Sequence, residues 1–409
     1  MEYWLGPELV SPGVWITVFL AVIICVNGFA IRLIRPFEFW LGLFKMIVII
    51  GLMILSLILA LGGGPDKDAK GFRYWSQPGA FAVMNDDDNN NGHQAGNITR
   101  LSAVWRTVPS TTFAYIGTEM IGMTVSESEN PRDATVRAVK VTFYRILIFH
   151  IVGATLLGML VPYDTPHLSF AIDPSETAAP SAFIVAIQMA GIRVLPDILN
   201  ACILVFVVSA ADYSLFLATV SLCGLAEEGM APSILSSTLP VADTSRLGEV
   251  PVYALGTCSI LSVVAYASMS GITTVVFEHM VNFVTILGLL VWISILTAHI
   301  CFVRARKTHN LNMPDMEEVA FKAPLGTLGS WVALVSCIVI SLTKSVHLFA
   351  GDPFDYVAFV TSYLGIPAYL ALIFGYKAFM RFRSVRAERQ MEADLPEESS
   401  MECVTNMDG

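Results

Sequence analysis

The feature that most constrains this chain is a series of uncharged apolar runs that recurs along almost its whole length. The hydrocarbon core of a bilayer is roughly 30 Å thick and an α-helix rises about 1.5 Å per residue, so each run is long enough to cross it as a helix. A transmembrane barrel would instead show segments of about ten residues with alternating polarity. The runs therefore predict an all-α polytopic membrane protein.

The amino-acid composition excludes most other classes of protein. Hydrophobic residues make up 55% of the chain and charged residues 14%, with a mean hydropathy of +0.65, which fits no soluble class. The net charge of -10 and the lack of a polybasic stretch argue against a nucleic-acid partner. Catalytic motifs such as HExxH, GxSxG and Walker A are absent, and the cysteines show no CxxC spacing. We therefore expect no enzyme, no metal site and no cofactor.

The hydropathy pattern predicts about nine transmembrane helices. They cover residues 14–31, 37–61, 103–124, 146–161, 195–222, 251–269, 275–302, 329–349 and 356–380. The predicted organisation is an extracellular start (1–13), a membrane domain (14–380) with an external loop at 62–102, and a cytoplasmic tail (381–409).

The distribution of basic residues predicts the orientation of these spans. Counted over alternate loops, 16 of the 24 Lys and Arg residues fall on the side that holds the C-terminus. The positive-inside rule makes that side cytoplasmic, so with nine spans the N-terminus lies outside. The glycosylation sequon at Asn97 falls in the loop that this topology places outside, which is an independent indication of the same orientation.

Ionisable residues within the predicted spans are candidates for function. A charge at the bilayer centre costs about 2.5–3.5 kcal/mol on insertion scales, so each one needs a reason to be there. Lys45 lies in the second span, about two turns from its inner end. It can carry a proton or replace a bound cation, or it can be tethered to backbone carbonyls of a neighbouring helix for structural reasons. Asp212, in the fifth span, can bind a cationic substrate, carry a proton or pair with a neighbour.

The third span has the most informative sequence. Hydroxyls, an aromatic pair, two glycines and the Glu119 carboxylate fall within residues 111–122, which makes a poor continuous apolar helix. The composition favours a helix broken near Gly117, where freed carbonyls accept hydrogen bonds from a substrate ammonium. Lipid does not tolerate such a break, so the segment must face protein or a water-filled cavity. The alternative is that the glycines only allow a close contact between helices.

Six sequence segments together resemble a fungal amino-acid permease of the amino acid–polyamine–organocation (APC) superfamily. The segments are RYWSQPGAFA at 73–82, FAYIGTEMIG at 113–122 running into SESENPR at 126–132, LVPYD at 160–164, GIRVLPDILN at 191–200, LAEEGMAP at 225–232 and FKAPLGTLGS at 321–330. They occur in the family's order and at its separations. The resemblance covers nearly the whole chain.

The resemblance implies a leucine-transporter-like architecture, in which twelve spans include two inverted repeats of five. The nine spans here would be its fourth to twelfth, so the first three would be lacking. One half of the substrate site would be lined by Phe113, Ala114, Tyr115, Ile116, Gly117 and Glu119. Lys45 would match the fifth-span lysine suspected of proton coupling. Asp212 stands where an asparagine is usual, and we assign it to proton coupling as well.

The function that the resemblance implies is secondary active transport of amino acids across the fungal plasma membrane. Transport would be coupled to protons and would proceed by alternating access around a broken helix at 113–119. An amino-acid substrate and the lipid bilayer are the expected partners. The alternative is a membrane protein that does not transport, either an amino-acid sensor or an inactive truncated permease.

Overall fold

A computed structural model describes most of the predicted membrane domain. The described residues are 4, 10–29, 31–65, 67–81, 104–105, 107–108, 111–122, 130–165, 181–237, 251–269, 273–308, 325–346 and 356–393, and in the stretch 31–37 only the backbone is described. Within these ranges the regular structure is entirely helical. The α-helices are α1 (Pro12–Phe29), α2 (Ile31–Ala60), α3 (Pro131–Ile146), α4 (Gly153–Leu160), α5 (Ala182–Met189), α6 (Leu195–Glu227), α7 (Val252–Ser262), α8 (Thr273–Thr308), α9 (Gly326–Thr343), α10 (Tyr356–Tyr363) and α11 (Gly365–Ala393).

The helices confirm the predicted class of an all-α polytopic membrane protein. Six helical stretches are long and apolar enough to cross a membrane, namely Glu38–Ala60, Asp133–Leu160, Leu195–Glu227, Val276–Thr308, Gly326–Thr343 and Tyr356–Phe382. Shorter apolar helices cover Pro12–Gly28 and Val252–Ala267, where the first and sixth spans are predicted. In the predicted third span, the described residues form short helical pieces and turns instead of one long helix. The total of nine spans remains a prediction.

Several helices extend beyond the predicted spans, two of them by more than ten residues. The fourth span is predicted from residue 146, but the helix begins with Pro131, which suits the first turn of a helix because it lacks an N–H. A π-helical turn at Leu147–Val152 joins α3 to α4. The last helix continues to Ala393, past the predicted end of the span at residue 380. Hydropathy identifies only the part of a helix that suits lipid. It does not detect the polar helical turns on either side of that part.

The chain divides into two compact units. Unit 1 contains Met1–Thr107, Gly117–Glu278 and Pro314–Phe321, and unit 2 contains Val108–Ile116, His279–Met313 and Lys322–Gly409. In unit 1, four of the eight residues of the short helix α5 are buried, and Val185 is 0% exposed. It packs against Leu59 of α2 and Leu160 of α4. The sequence analysis did not predict this helix, because eight apolar residues are too few to cross a bilayer.

The loop after α2 in unit 1 contacts α4 through one tryptophan. The indole of Trp75 lies against Gly158 of α4, where an added Cβ would come within 3.2 Å of its Nε1 atom. Arg73 donates a hydrogen bond to the Asp68 carboxylate at 2.7 Å, and this bond lowers the pKa of Asp68 below its ordinary value. Both side chains of the pair are about half exposed, so it adds little stability.

The long helices expose large apolar side chains rather than burying them. Exposed fractions reach 60% for Ile47 and Val207 and 73% for Leu372. An exposed apolar surface of this extent is costly in water and neutral in hydrocarbon. Faces of this kind suit a lipid environment.

Candidate functional site

Lys45 is held by side chains of the neighbouring helix α6. Its Nζ atom donates a hydrogen bond to the Ser209 hydroxyl at 2.8 Å. The same atom lies 6.0 Å from the ring centroid of Phe206, which is one helical turn before Ser209. The neighbouring helix thus offers Lys45 a hydroxyl and an aromatic ring, rather than the backbone carbonyls considered in the sequence analysis. A lysine held by one neutral hydroxyl keeps its capacity to gain and lose a proton.

Asp212 is buried on α6 and is hydrogen-bonded by α1. The Asn27 amide donates to Asp212 Oδ1 at 2.8 Å and to the Asp212 carbonyl at 3.3 Å. Asp212 is 9% exposed and Asn27 is 2% exposed. A neutral amide satisfies one acceptor of the carboxyl group but supplies no opposite charge. Of the roles considered for Asp212, the described structure shows pairing with a neighbour, and that neighbour is uncharged.

Asp212 lines a cavity in unit 1, and Lys45 is bonded to Ser209, another residue of its lining. The cavity has a volume of about 350 Å³ and lies between α1, α2 and α6. Its lining is mostly apolar and carries three polar side chains, Glu38, Ser209 and Asp212. Lys45 reaches this cavity through its bond to Ser209. Ser209 therefore links Lys45 to the cavity that Asp212 lines, and the role of both residues in proton coupling stays a prediction.

Glu38 is the member of this cavity that the sequence analysis missed. It lies seven residues before Lys45 on α2, and a spacing of seven places two side chains on the same face of a helix. The spacing from Lys45 was therefore a signal that could have revealed it. Its position at the edge of an apolar run made it look like a residue that only begins the helix.

The backbone of the third predicted span is interrupted just before Gly117. The N–H groups of Ala114, Tyr115 and Ile116 donate to carbonyls three residues earlier, as in a tight turn. Gly117 then has a φ of +98°, in the left-handed region that favours glycine. A 3₁₀ turn at Thr118–Met120 follows. The α-helical hydrogen-bond pattern is therefore broken between Ala114 and Gly117.

Glu119 stabilises this interruption. The Gly117 N–H donates to the Glu119 carboxylate at 3.1 Å, in place of a carbonyl in the preceding turn. The same residue lies in the first turn of the helical piece that continues to Gly122, where a carboxylate is favoured by the helix N-terminus. Its geometry matches the role of holding the break.

The interrupted segment is shared between the two units. Phe113, Ala114, Tyr115 and Ile116 belong to unit 2, whereas Gly117 and Glu119 belong to unit 1 with Lys45 and Asp212. Within unit 2, Ile116 packs against Gly288 of α8, where an added Cβ would lie 2.8 Å from Ile116 Cδ1. A side chain at position 288 would force the Ile116 side chain to move. Helix α8 thus supports the segment from within unit 2.

This packing predicts that Gly288→Val destabilises the protein by about 1–3 kcal/mol, the usual effect of overfilling a packed contact. The matched control is Gly375→Val on α11 of the same unit, because no atom lies within 4 Å of a Cβ added there. Thermal unfolding of the purified protein should show a lower midpoint for the Gly288 variant only. Equal midpoints for the two variants would contradict the assigned packing.

Two other predictions concern glycosylation and metal binding. Asn97 falls outside the described residues, so its glycosylation stays a prediction. Across the part of the chain that is described, no group of three or more His, Cys, Asp or Glu side chains is arranged to hold a metal ion.

Comparison with known proteins identifies the family. The chain matches the family described as "Amino acid permease" over residues 1–388. It is 40% identical to the dicarboxylic amino acid permease of Saccharomyces cerevisiae, over 95% of this chain and 61% of the relative. It is 34% identical to the proline-specific permease of that yeast, over 93% of this chain and 58% of the relative. A lysine-specific permease of the same organism is 31% identical, over 96% of this chain and 61% of the relative.

The chain spans about 60% of the length of these relatives. No solved structure matches it. The relatives are named as permeases, which are transporters rather than enzymes. The family match over nearly the whole chain and the membrane-length helices lead to one conclusion: the chain is a multi-pass membrane protein of the amino acid permease family, in the APC superfamily.

Proposed function

We propose that this chain functions in secondary active transport of amino acids, coupled to protons, by alternating access around the interrupted segment at 113–119. The observation that carries the proposal is the break between Ala114 and Gly117 in an otherwise helical membrane protein. A helix interrupted at membrane depth exposes backbone polar groups that lipid cannot satisfy. Such interruptions are how transporters of this architecture bind small polar substrates.

The interruption supplies groups suited to the common core of an amino acid. Carbonyls of Ala114, Tyr115 and Ile116 are the proposed acceptors for the substrate ammonium, because the α-helical pattern is broken there. We assign Phe113 and Tyr115 to covering the substrate side chain, with Tyr115 as part of a gate. Gly117 provides the backbone conformation, and Glu119 holds it through the Gly117 N–H.

Proton coupling is assigned to Lys45 and Asp212. Asp212 lines a mostly apolar cavity and Lys45 is bonded to Ser209 of its lining, and ionisable groups at membrane depth are costly enough to indicate a function. A proton is the simplest coupling ion for this pair, because a lysine and a carboxyl group each bind one proton. No other cofactor is needed for this mechanism.

Acidic amino acids are the proposed first substrates. The relative that is 40% identical is named a dicarboxylic amino acid permease, whereas the proline-specific relative is 34% identical. Aspartate and glutamate are therefore the first probes to test, with proline and lysine as competitors. Inhibition by all four to the same extent would contradict this substrate assignment.

The experiment that tests transport uses the full chain reconstituted in vesicles. We expect saturable uptake of radiolabelled aspartate or glutamate that rises when the outside is made acidic. Protein-free vesicles and vesicles treated with a protonophore serve as controls. Saturable binding without uptake would instead support the sensor interpretation, and neither binding nor uptake would contradict the proposal.

The proposed location is the plasma membrane, with the C-terminus in the cytoplasm and residues 62–102 outside. This topology predicts that Asn97 carries an N-linked glycan in a fungal host, because its sequon then faces the secretory lumen during insertion. Treatment with an endoglycosidase should increase the gel mobility of the chain and leave Asn97→Gln unchanged. The orientation would be contradicted if Asn97 stayed unglycosylated while a sequon added to the C-terminal tail became glycosylated.

A further inference from the structure

The interrupted segment meets α8 at one crowded contact, between Ile116 and Gly288. A Cβ added at position 288 would come within 2.8 Å of Ile116 Cδ1 and within 2.9 Å of Ile116 Cγ1. Both distances are well below the roughly 3.5–4.0 Å at which two carbon atoms attract each other best. The side chain of Ile116 therefore fills the space that a side chain at position 288 would need.

The Ile116 side chain has few ways to turn aside. The three atoms nearest to the added Cβ all belong to Ile116, and the third is Cγ2 at 3.5 Å. Both branches of the isoleucine thus face Gly288. A side chain that branches at Cβ is stiff at χ1, so it relieves crowding less readily by rotation than an unbranched one. Crowding at position 288 therefore acts close to the backbone of residue 116.

Helix α8 is held from the opposite face by α11. Gly365 begins α11, and a Cβ added there would come within 2.5 Å of Ile286 Cγ2. Ile286 and Gly288 are two residues apart, which is about 200° around a helix, so they lie on opposite faces of α8. Ile286 is 0% exposed and Leu289 is 1% exposed. Because α8 is packed on both faces, Ile116 rather than α8 gives way to crowding at position 288.

Ile116 is the residue directly before the glycine at the break. Its N–H donates to the Phe113 carbonyl at 3.2 Å, and its carbonyl carbon is bonded to Gly117, which has a φ of +98°. A peptide unit is planar, so a displacement of residue 116 turns the whole unit that joins it to Gly117. This unit contains the Ile116 carbonyl, one of the acceptors proposed for the substrate ammonium.

We propose that Gly288 is a positioning residue for the interrupted segment. Its lack of a side chain makes room for Ile116 and so fixes the direction of the Ile116 carbonyl. The inference rests on the proposed function, because that function gives the carbonyl a substrate to bind. Gly288 does not contact the substrate and acts only through Ile116. A larger residue at position 288 turns the carbonyl and weakens substrate binding.

The test measures hydrogen exchange and binding on the full chain in detergent. Gly288→Ala should speed amide exchange in the peptide that covers residues 111–122. It should also weaken the binding of radiolabelled glutamate about tenfold, which is within the range of coupling between residues in contact. Ile116→Ala removes all three crowding atoms. The double variant should therefore exchange more slowly and bind glutamate more tightly than Gly288→Ala alone.

Gly365→Ala is the matched control for a loss of stability. It crowds the opposite face of α8, where the three nearest atoms belong to Ile286 and Leu287. We expect a lower midpoint of thermal unfolding, with unchanged exchange at residues 111–122 and unchanged glutamate affinity. Gly375→Ala, which has no atom within 4 Å of the added Cβ, should change none of these quantities.

Three results would overturn the inference. The first is unchanged exchange or unchanged glutamate affinity in Gly288→Ala, and the second is an equal loss of affinity in Gly365→Ala. The third is a double variant in which the losses from Gly288→Ala and Ile116→Ala simply add. The proposed function fails separately, if the unaltered chain binds no amino acid. Exchange that still responds to Gly288→Ala and recovers in the double variant would then support the positioning of the break.

Discussion

Replacing Gly117 with alanine should reduce amino-acid binding and uptake about 5- to 150-fold. At Gly117 the backbone has a φ of +98°, and an alanine held there would be strained by roughly 1–3 kcal/mol. The effect arises from the backbone alone, because no atom lies within 4 Å of a Cβ added at this position. Binding to the detergent-solubilised chain and uptake into vesicles measure the two quantities separately.

Gly122→Ala is the matched control for this experiment. Gly122 lies five residues further along the same segment, also has no atom within 4 Å of an added Cβ, and does not adopt a positive φ. We expect this variant to bind and transport like the unaltered chain. Equal losses in the two variants would show that the segment tolerates no side chain at all. Unchanged binding in Gly117→Ala would refute the assignment of the site to the interruption.

Lys45→Met should abolish proton-driven accumulation of amino acids. Methionine has a similar length and fits an apolar cavity, so the fold should survive while the titratable group is lost. The substitution also removes the hydrogen bond to Ser209. The loss of this bond is offset because the desolvation penalty of the ammonium is removed too. Uptake should therefore no longer respond to an imposed pH gradient, although exchange of substrate across the membrane at equal concentrations should persist.

The control is Lys377→Met, which changes an exposed lysine on α11. This variant should retain both accumulation and its pH dependence. If Lys45→Met accumulates substrate with unchanged pH dependence, Lys45 has no part in coupling. If Lys45→Met also loses exchange at equal concentrations, the lysine supports the structure of the site rather than its coupling.

The sequence alone was sufficient to predict the features that depend on local free energy. The transfer of apolar residues into lipid is nearly additive along a helix, so hydropathy located eight of the nine predicted spans as apolar helices. The interruption before Gly117 is also local, since it follows from a glycine with a positive φ and a carboxylate two residues later. The family was evident from short segments for the same reason: each is read from contiguous residues.

Only the tertiary structure decided which distant residues meet. Lys45 and Ser209 are 164 residues apart, and Asn27 and Asp212 are 185 apart, so no periodicity in the sequence pairs them. The burial of α5 is of the same kind, because an eight-residue apolar stretch becomes a core element only when Leu59 and Leu160 pack around it. Glu38 became a candidate because α1, α2 and α6 line a common cavity. Helix positions follow from transfer of single residues to lipid, whereas the polar cluster depends on packing between helices, which hydropathy does not encode.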